Sequence, residues 1–303
     1  MTSTLEWFGC TTFRLRVDGL TLWLDTYLDR PPGVAPVGLR AAEVAEADWI
    51  FVSHCHFDHI LGADIVANAT GAAVVGSYEA MRLMADGGVP AEQRWPVAGG
   101  ETIHCNDQVR VRVFPSIHSC LFASSDADTG VSCLGDLHLP HQERARRQED
   151  LFALMGDQSI VPPETHRYLS EPIGPMSHSD GGQLMYLVDT AEGSLLWSAS
   201  AGGWTSILRE LQPDVALLAV AGRPNVDGEP FQGTTAEFVV RQVEALRPRR
   251  VVFCHHDELL PPLIGATDTT AAATALAERV PDTELVTMTY GDPIAIFEGA
   301  GVR

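Results

Sequence analysis

The chain has 303 residues, and its 45% hydrophobic content is enough to form a buried core. Its 40 acidic residues against 20 basic ones give a formal charge of −20, which argues against a nucleic-acid partner because phosphate neutralisation needs clustered Lys and Arg. The sequence lacks both a signal-peptide pattern and an uncharged apolar run of the roughly 18 residues that cross a membrane, so we expect a cytoplasmic protein with no membrane partner.

The apolar pattern of the first 118 residues predicts strands and helices in alternation. Apolar and polar residues alternate on both sides of Asp18-Gly19, which indicates a β-hairpin with a tight turn. The predicted elements are strands over 13–17, 20–24, 49–52 and 109–114, a short apolar run over 73–76, and helices over 60–69 and 77–86. Histidine-containing segments directly follow the strands over 49–52 and 109–114.

The rest of the chain divides into an irregular middle and an ordered end. Over 119–180 we expect an insertion that forms a lid, built of polar loops around one helix, 142–155. The arginines within 144–147 either attract an anionic substrate or belong to a solvated helix face. The later elements are strands over 183–188, 194–198, 215–221, 251–254 and 284–298, a helix that begins at the capping box Thr234-Thr235-Ala236-Glu237, and a helix over 269–279.

Two β-rich halves with helices outside them indicate a layered α/β sandwich. No Gly/Ser-rich or charged linker separates the halves. We therefore predict a single domain over 1–303 rather than two domains.

The strongest chemical signal is His54-x-His56-x-Asp58-His59, which lies where a strand passes into a helix. Residues two apart in an extended segment point the same way, so His54 and His56 can reach one ion. Asp58 and His59 enter the next turn and aim at a neighbouring position. The motif thus predicts two adjacent metal positions, typically about 3.5 to 4 Å apart, whereas the alternative is a polar helix cap with idle imidazoles.

This motif, the opening Phe8-Gly9-Cys10-Thr11-Thr12-Phe13 and the later Asp25 resemble the metallo-β-lactamase superfamily. The most similar subgroup is the ascorbate-6-phosphate-lactonase-like metal-dependent hydrolases. The resemblance covers about 1–118 and 181–298 and leaves out the middle of the chain. It implies an α/β fold of the four-layer αββα sandwich type.

The resemblance also implies a ligand set for one or two divalent ions, with zinc expected first and manganese or iron as alternatives. The first metal position is implied at His54, His56 and His118, and the second at Asp58, His59 and His255. Neighbours in an extended segment face opposite ways, so only one of His255 and His256 should ligate. His256 is then a substrate contact, a support for the site or an exposed residue, and Asp257 could orient either ring.

The sequence departs from the family at Ser200, where the family carries an aspartate that bridges both metals. A serine hydroxyl is a much poorer ligand than a carboxylate. The alternatives are one tightly held metal, a pair bridged by water or hydroxide alone, or a carboxylate from elsewhere, for which Asp136 is the candidate. Cys10 stands where relatives often have histidine, and Thr26 where Asp-Pro is common, and we expect both to affect the pocket floor more than the reaction.

The function implied by the resemblance is hydrolysis of a small-molecule ester, lactone, amide or phosphoester by metal-activated water. Asp58 is expected to hold the nucleophile and accept its proton, and His178 is the candidate proton donor or substrate contact. Two alternatives remain open: a di-iron enzyme that activates oxygen, and a metal-binding protein without catalysis. The only partner expected is the small-molecule substrate, and a homo-oligomer is compatible with the sequence.

Overall fold

The structure is a computed structural model that describes residues 2–122, 139–170, 174 and 176–298. The described strands are β1 Thr4–Trp7, β2 Phe13–Val17, β3 Leu20–Leu24, β4 Trp49–Phe51, β5 Ala73–Gly76, β6 Arg94–Pro96, β7 Thr102–His104, β8 Arg110–Pro115, β9 Leu184–Asp189, β10 Ser194–Ser198, β11 Gly202–Gly203, β12 Val215–Ala219, β13 Asn225–Val226, β14 Glu229–Pro230, β15 Arg250–Cys254, β16 Glu284–Leu285 and β17 Ile294–Ala295. The helices are α1 Phe57–Ile60, α2 Ala63–Thr70, α3 Tyr78–Asp86, α4 His141–Met155, α5 Pro163–Ser170, α6 Thr205–Glu210, α7 Thr235–Leu246 and α8 Thr270–Arg279, with short 3-10 turns at Ala41–Glu43 and Ala91–Gln93.

Two seven-stranded mixed sheets form the centre of the fold. The first runs β17-β1-β2-β3-β4-β5-β6 and the second β16-β15-β12-β10-β9-β8-β7, while β11-β13-β14 make a small third sheet. In the first sheet the strands from β3 to β6 are parallel, and in the second those from β10 to β16 are parallel. The remaining pairs in both large sheets are antiparallel.

The two large sheets pack face to face through a buried aromatic and aliphatic core. The ring of Phe51 meets that of Tyr186 edge to face at 5.3 Å, and Tyr186 stacks on Trp197 at 5.6 Å. The Tyr186 hydroxyl also donates to the carbonyl of Val52 across the sheets, at 2.7 Å. Burial of these large apolar surfaces is the main force that joins the sheets.

Helices cover the outer face of each sheet. Residues of α1, α2 and α3 form one apolar cluster with the first sheet, and residues of α6, α7 and α8 form another with the second. The order of layers is therefore helix, sheet, sheet, helix, which confirms the predicted four-layer αββα sandwich.

The hairpin over 13–17 and 20–24 has the predicted bounds, and α7 begins with the predicted capping box at Thr234. The expected helix over 60–69 is instead interrupted between α1 and α2 at Gly62. Gly62 has a φ of 91°, and a Cβ there would lie 2.9 Å from both the Ala41 Cβ and the Thr26 carbonyl oxygen, so the tight turn requires glycine.

Two regions differ from the sequence-based expectation. The middle of the chain contains a second helix, α5, beside the predicted α4. The strands expected over 284–298 are reduced to the two-residue β16 and β17. Apolar residues of that segment, such as Ile296 and Phe297, still pack into the core, although they lie outside regular strands.

The predicted chemistry lies just beyond strand ends at one edge of the sandwich. Cys10 follows β1, His54 follows β4, His118 follows β8, and His255 immediately follows β15. These strands belong to both sheets, and the residues that follow them lie close together. Loops beyond strand ends on a rigid scaffold are the usual location of binding and catalytic groups.

Candidate metal centre

The first cluster of the site is formed by His54, His56 and His118. One ring nitrogen of each lies within 4.8 Å of those of the other two. The ring centroids are 4.8 Å apart in every pair, at interplanar angles of 73 to 80°. The Nε2 atoms of His54 and His56 are buried and have no hydrogen-bond partner among the described residues. Since buried unpaired polar atoms are costly, three converging imidazoles of this kind fit a metal ion.

Hydrogen bonds on the far side of these rings fix their orientation. The Nδ1 atom of His118 donates to the carbonyl of Ser119 at 2.9 Å, and Nδ1 of His54 lies 3.1 Å from the Ser53 hydroxyl. Such contacts leave Nε2 to face the cluster. Burial lowers the pKa of His54 and His118, and it lowers that of His56 to about 3. The three rings are therefore neutral near pH 7, the state that binds metal.

The second cluster contains Cys10, Asp58, His59 and His255. Oδ2 of Asp58 lies 3.4 Å from Nε2 of His59, 3.2 Å from Nε2 of His255 and 4.0 Å from Sγ of Cys10. The sequence predicted three of these residues together as metal ligands. It did not predict Cys10 as a fourth ligand, although the resemblance had already marked that position as a departure.

His59 is held from behind by a buried polar network. Its Nδ1 lies 2.7 Å from Oδ2 of Asp25 and 2.8 Å from the Thr11 hydroxyl. Asp25 also accepts hydrogen bonds from the Thr11 hydroxyl and from the backbone N–H and hydroxyl of Ser53. A carboxylate behind a histidine is a common support for a metal ligand. The sequence marked Asp25 only as part of the family resemblance, without this role.

Charge in the second cluster is arranged around Asp58. Burial opposes ionisation of this carboxyl, but the neighbouring His59 and His255 outweigh it and hold the Asp58 pKa well below its usual value. Burial likewise lowers the His59 pKa, yet Asp58, Cys10 and Asp25 raise it to about 10. Without a metal, the His59 ring is therefore protonated on both nitrogens near pH 7, and a bound cation would replace the proton on Nε2, which faces Asp58.

The two clusters are adjacent. The ring centroids of His54 in the first cluster and His59 in the second are 3.7 Å apart. The structure therefore brings together all six side chains that the sequence selected as ligands. Their action as metal ligands stays a prediction.

Ser200 belongs to neither cluster. Its hydroxyl accepts a hydrogen bond from the backbone N–H of Ser119 at 3.0 Å, so it acts as a support beside His118. The proposed substitute carboxylate, Asp136, lies outside the described residues. The three alternatives for the missing bridge therefore remain as the sequence left them.

His178 lies beside the first cluster, behind an aromatic ring of α4. It stacks on Phe152 with centroids 5.0 Å apart and planes 10° apart, and the Phe152 ring meets that of His56 at 5.7 Å. The catalytic role of His178 and the lid role of 119–180 stay predictions.

His256 and Asp257 make contacts on the other side of the centre. The His256 ring stacks on Trp7 at 5.1 Å. Asp257, which the sequence suggested as a candidate support for the ring of His255 or His256, accepts hydrogen bonds from the Cys10 backbone N–H, from Arg30 and from the Tyr290 hydroxyl.

The arginines of α4 are paired with carboxylates. Arg144 binds Glu229, Arg146 binds Glu143 and Asp150, and Arg147 also binds Glu143. These pairs favour the solvated helix face over capture of an anionic substrate. No helix in the described part of the chain is both long and apolar enough to cross a membrane, and the cytoplasmic location stays a prediction.

Comparison with known proteins finds sequence relatives for part of this chain. The sequence profile of the "Beta-lactamase superfamily domain" matches residues 21–136. A "UPF0173 metal-dependent hydrolase" of Pyrobaculum calidifontis is 34% identical over 115 residues, which are 38% of this chain and 50% of that protein. The chain therefore spans about half the length of such curated relatives.

Solved structures resemble nearly the whole chain. Igni18, a novel metallo hydrolase from Ignicoccus hospitalis, has a TM-score of 0.61 at 17% identity and covers 97% of this chain and 98% of its own. CmlA, a diiron β-hydroxylase from Streptomyces venezuelae, has a TM-score of 0.57 at 16% identity and covers 97% of this chain and 54% of its own. At such identities the likeness concerns the fold alone. The sequence profile over residues 21–136 and the layer architecture agree in their likeness to the metallo-β-lactamase superfamily.

Proposed function

We propose that the chain is a metal-dependent hydrolase that acts on a small-molecule ester, lactone, amide or phosphoester. The observation that carries this proposal is the pair of adjacent, buried ligand clusters, one of which contains imidazole nitrogens without hydrogen-bond partners. Buried polar atoms of this kind are rare unless a ligand or ion satisfies them.

The donor sets fit one divalent ion each, with zinc proposed first. His54, His56 and His118 would hold the first ion, and Asp58, His59 and His255 the second. A metal ion in such a site supplies a Lewis acid that makes water nucleophilic near neutral pH and stabilises negative charge on the reacting oxygen.

Asp58 is proposed to orient the attacking water and to accept its proton. Its low pKa keeps the carboxylate ionised, and its Oδ2 faces His59 and His255. The second carboxylate oxygen is then the proton acceptor. Asp25 holds the His59 ring in place through Nδ1, so that the Nε2 side of this cluster keeps one geometry.

His178 is proposed to deliver a proton to the leaving group or to contact the substrate. Its support is its position against Phe152, whose ring reaches His56. We also propose that α4 is a lid, since it places this aromatic ring over the first cluster. Exclusion of water by such a cover strengthens electrostatic interactions inside the site.

The first experiment measures metal content and turnover in the same preparations. We expect the purified protein to bind one or two equivalents of zinc and to hydrolyse a member of a panel of esters, lactones, amides and phosphoesters. His56→Ala should lose metal and activity together. His104→Ala, which removes an exposed histidine from β7, is the matched control and should keep both. The proposal fails if the protein binds no stoichiometric metal and His56→Ala is as active as the parent.

Two further variants separate the proposed roles. His178→Gln should lower kcat and leave metal content unchanged, whereas Asp58→Asn should reduce occupancy of the second metal position as well. Equal kcat values for His178→Gln and the parent would remove His178 from the mechanism.

A di-iron enzyme that activates oxygen is the second candidate, supported by the fold likeness to CmlA. It predicts protein rich in iron and a reaction that stops when oxygen is removed. Zinc-loaded protein that turns over without oxygen would exclude it. Stoichiometric metal with no turnover in either assay would favour the non-catalytic alternative.

A further inference from the structure

We infer that Cys10 is the fourth protein ligand of the second metal position, together with Asp58, His59 and His255. This inference rests on the proposed function in one respect, namely that a metal occupies this cluster. It changes the chemistry of the position from a nitrogen and oxygen set to a set that includes one thiolate.

The distances suit a four-coordinate ion. Ligands that lie 2.0 to 2.3 Å from a tetrahedral metal are separated from one another by about 3.3 to 3.8 Å. The separations from Asp58 Oδ2 to the other three donor atoms are 3.2, 3.4 and 4.0 Å, and all four donors lie within 4.8 Å of one another. Small side-chain shifts would therefore bring all four atoms onto one ion.

The backbone at Cys10 is fixed in an unusual conformation that other groups stabilise. Its φ of 46° is in the left-handed region, which disfavours non-glycine residues by about 1 kcal/mol or more. The Cys10 N–H donates to Asp257 at 2.8 Å, and its carbonyl accepts from the Trp7 indole at 3.0 Å. Asp257 is anchored in turn by Arg30 and Tyr290.

A further backbone hydrogen bond connects two of the proposed ligands, Cys10 and His255, directly. The backbone N–H of His255 donates to the Cys10 carbonyl at 2.8 Å, and His255 is also left-handed, with a φ of 59°. Two strained residues held to each other at one cluster are typical of a preorganised site. The thiol itself is fully buried, and its Sγ lies 4.0 Å from Asp58 Oδ2 and 3.9 Å from the Thr11 hydroxyl, so its position is part of the centre rather than of the surface.

A thiolate at Cys10 would also compensate for Ser200. Where the family carries an aspartate, this chain has a neutral hydroxyl that is already bound to the Ser119 N–H. Metal binding would displace the Cys10 thiol proton to solvent and leave two anionic ligands, Cys10 and Asp58, on the cation. Because thiolates favour zinc and cobalt over manganese and magnesium, we expect the second position to select zinc.

X-ray absorption on the reduced, zinc-loaded full chain tests this inference without an activity assay. We expect a sulfur scatterer at about 2.3 Å from zinc. It should disappear in Cys10→Ser while zinc at the histidine cluster remains. Cys55→Ser is the matched control. Cys55 is also a buried thiol and lies between His54 and His56 along the chain, but its sulfur contacts the Ser77 hydroxyl at 3.8 Å rather than a proposed ligand.

Cobalt-loaded protein gives a second readout, since a thiolate ligand produces a sulfur-to-cobalt charge-transfer band in the near ultraviolet. This band should be present in the parent and in Cys55→Ser and absent in Cys10→Ser. Both spectra can be recorded on the parent protein alone, so poor folding of one variant does not prevent the test.

The outcomes separate this inference from the proposed function. Metal at both clusters with no sulfur signal, or a signal that persists in Cys10→Ser, overturns the Cys10 assignment and leaves the hydrolase proposal intact. Metal at the histidine cluster alone overturns the Cys10 assignment as well. Protein that binds no metal overturns both.

Discussion

Asp25 Oδ2 lies 2.7 Å from Nδ1 of His59, and this contact joins a fully buried carboxylate to a ring whose other nitrogen faces Asp58. Asp25 is itself held by Thr11 and Ser53. The network fixes the His59 ring before any metal arrives. The network would therefore support a metal ion at the second cluster without contacting that ion.

Asp25→Asn is expected to weaken metal binding at the second position by about 10- to 100-fold, as loss of such supports typically does. The asparagine amide has nearly the same shape as the Asp25 carboxylate but lacks its negative charge, which favours a hydrogen bond donated by Nδ1 of His59. Chelator competition with zinc measures the effect. Asp214→Asn is the control, because this carboxylate binds Ser194 and Arg249 away from the centre. Equal loss of zinc affinity in both variants would contradict the role of Asp25.

Ser200→Ala is expected to destabilise the protein by about 1 to 3 kcal/mol, because it leaves the Ser119 N–H without its acceptor. Since His118 precedes Ser119, zinc affinity at the histidine cluster should fall as well. Urea denaturation and zinc competition check the two effects. Ser198→Ala is the matched control, because the Ser198 hydroxyl is buried without a hydrogen-bond partner among the described residues and its removal should cost little. If the two variants are equally stable, the Ser200 contact contributes nothing.

Phe152→Ala is expected to raise the rate of zinc extraction by a chelator several-fold, because the Phe152 ring lies against His56. The equilibrium stability should change less, since Phe152 is only half-buried. Leu154→Ala removes an exposed apolar side chain from the same helix and should leave the extraction rate unchanged. Identical rates in the parent and Phe152→Ala would argue against a cover over the first cluster.

The metal-free protein is expected to lose stability as the pH falls below 6.5. Burial lowers the His56 pKa from 6.5 to about 3. Between these two pH values His56 is therefore protonated in the unfolded chain and neutral in the folded chain. The contribution of His56 to the free energy of unfolding is therefore complete above pH 6.5 and is lost as the pH falls towards 3. Between pH 7 and pH 5 this one histidine accounts for about 2 kcal/mol.

Urea denaturation with chelator at the two pH values measures this loss. His56→Gln should show a loss about 2 kcal/mol smaller than the parent. His104→Gln, which changes an exposed histidine, should behave as the parent does. An identical acid loss in His56→Gln and the parent would show that His56 is not held neutral by burial. His59 has the opposite sign: its pKa is raised to about 10, so its contribution is lost as the pH rises through that value.

Much of the fold could be predicted because it follows from local patterns. Alternation around Asp18-Gly19 determines the hairpin, and the capping box at Thr234 determines where α7 begins. The interruption at Gly62 and the shortness of β16 and β17 were missed. They depend on the close approach of Ala41 and Thr26 and on core residues that need no regular strand.

The sequence by itself predicted the metal motif, because residues 54 to 59 are close along the chain and their spacing directs two donors to each of two adjacent positions. It also predicted that the serine at position 200 is a much poorer metal ligand than a carboxylate. Only the tertiary structure decided that Cys10 joins Asp58, His59 and His255, and that Asp257 holds it there. Cys10 and Asp257 are 247 residues apart, and contacts over that distance exist only once both sheets have packed and their strand ends meet.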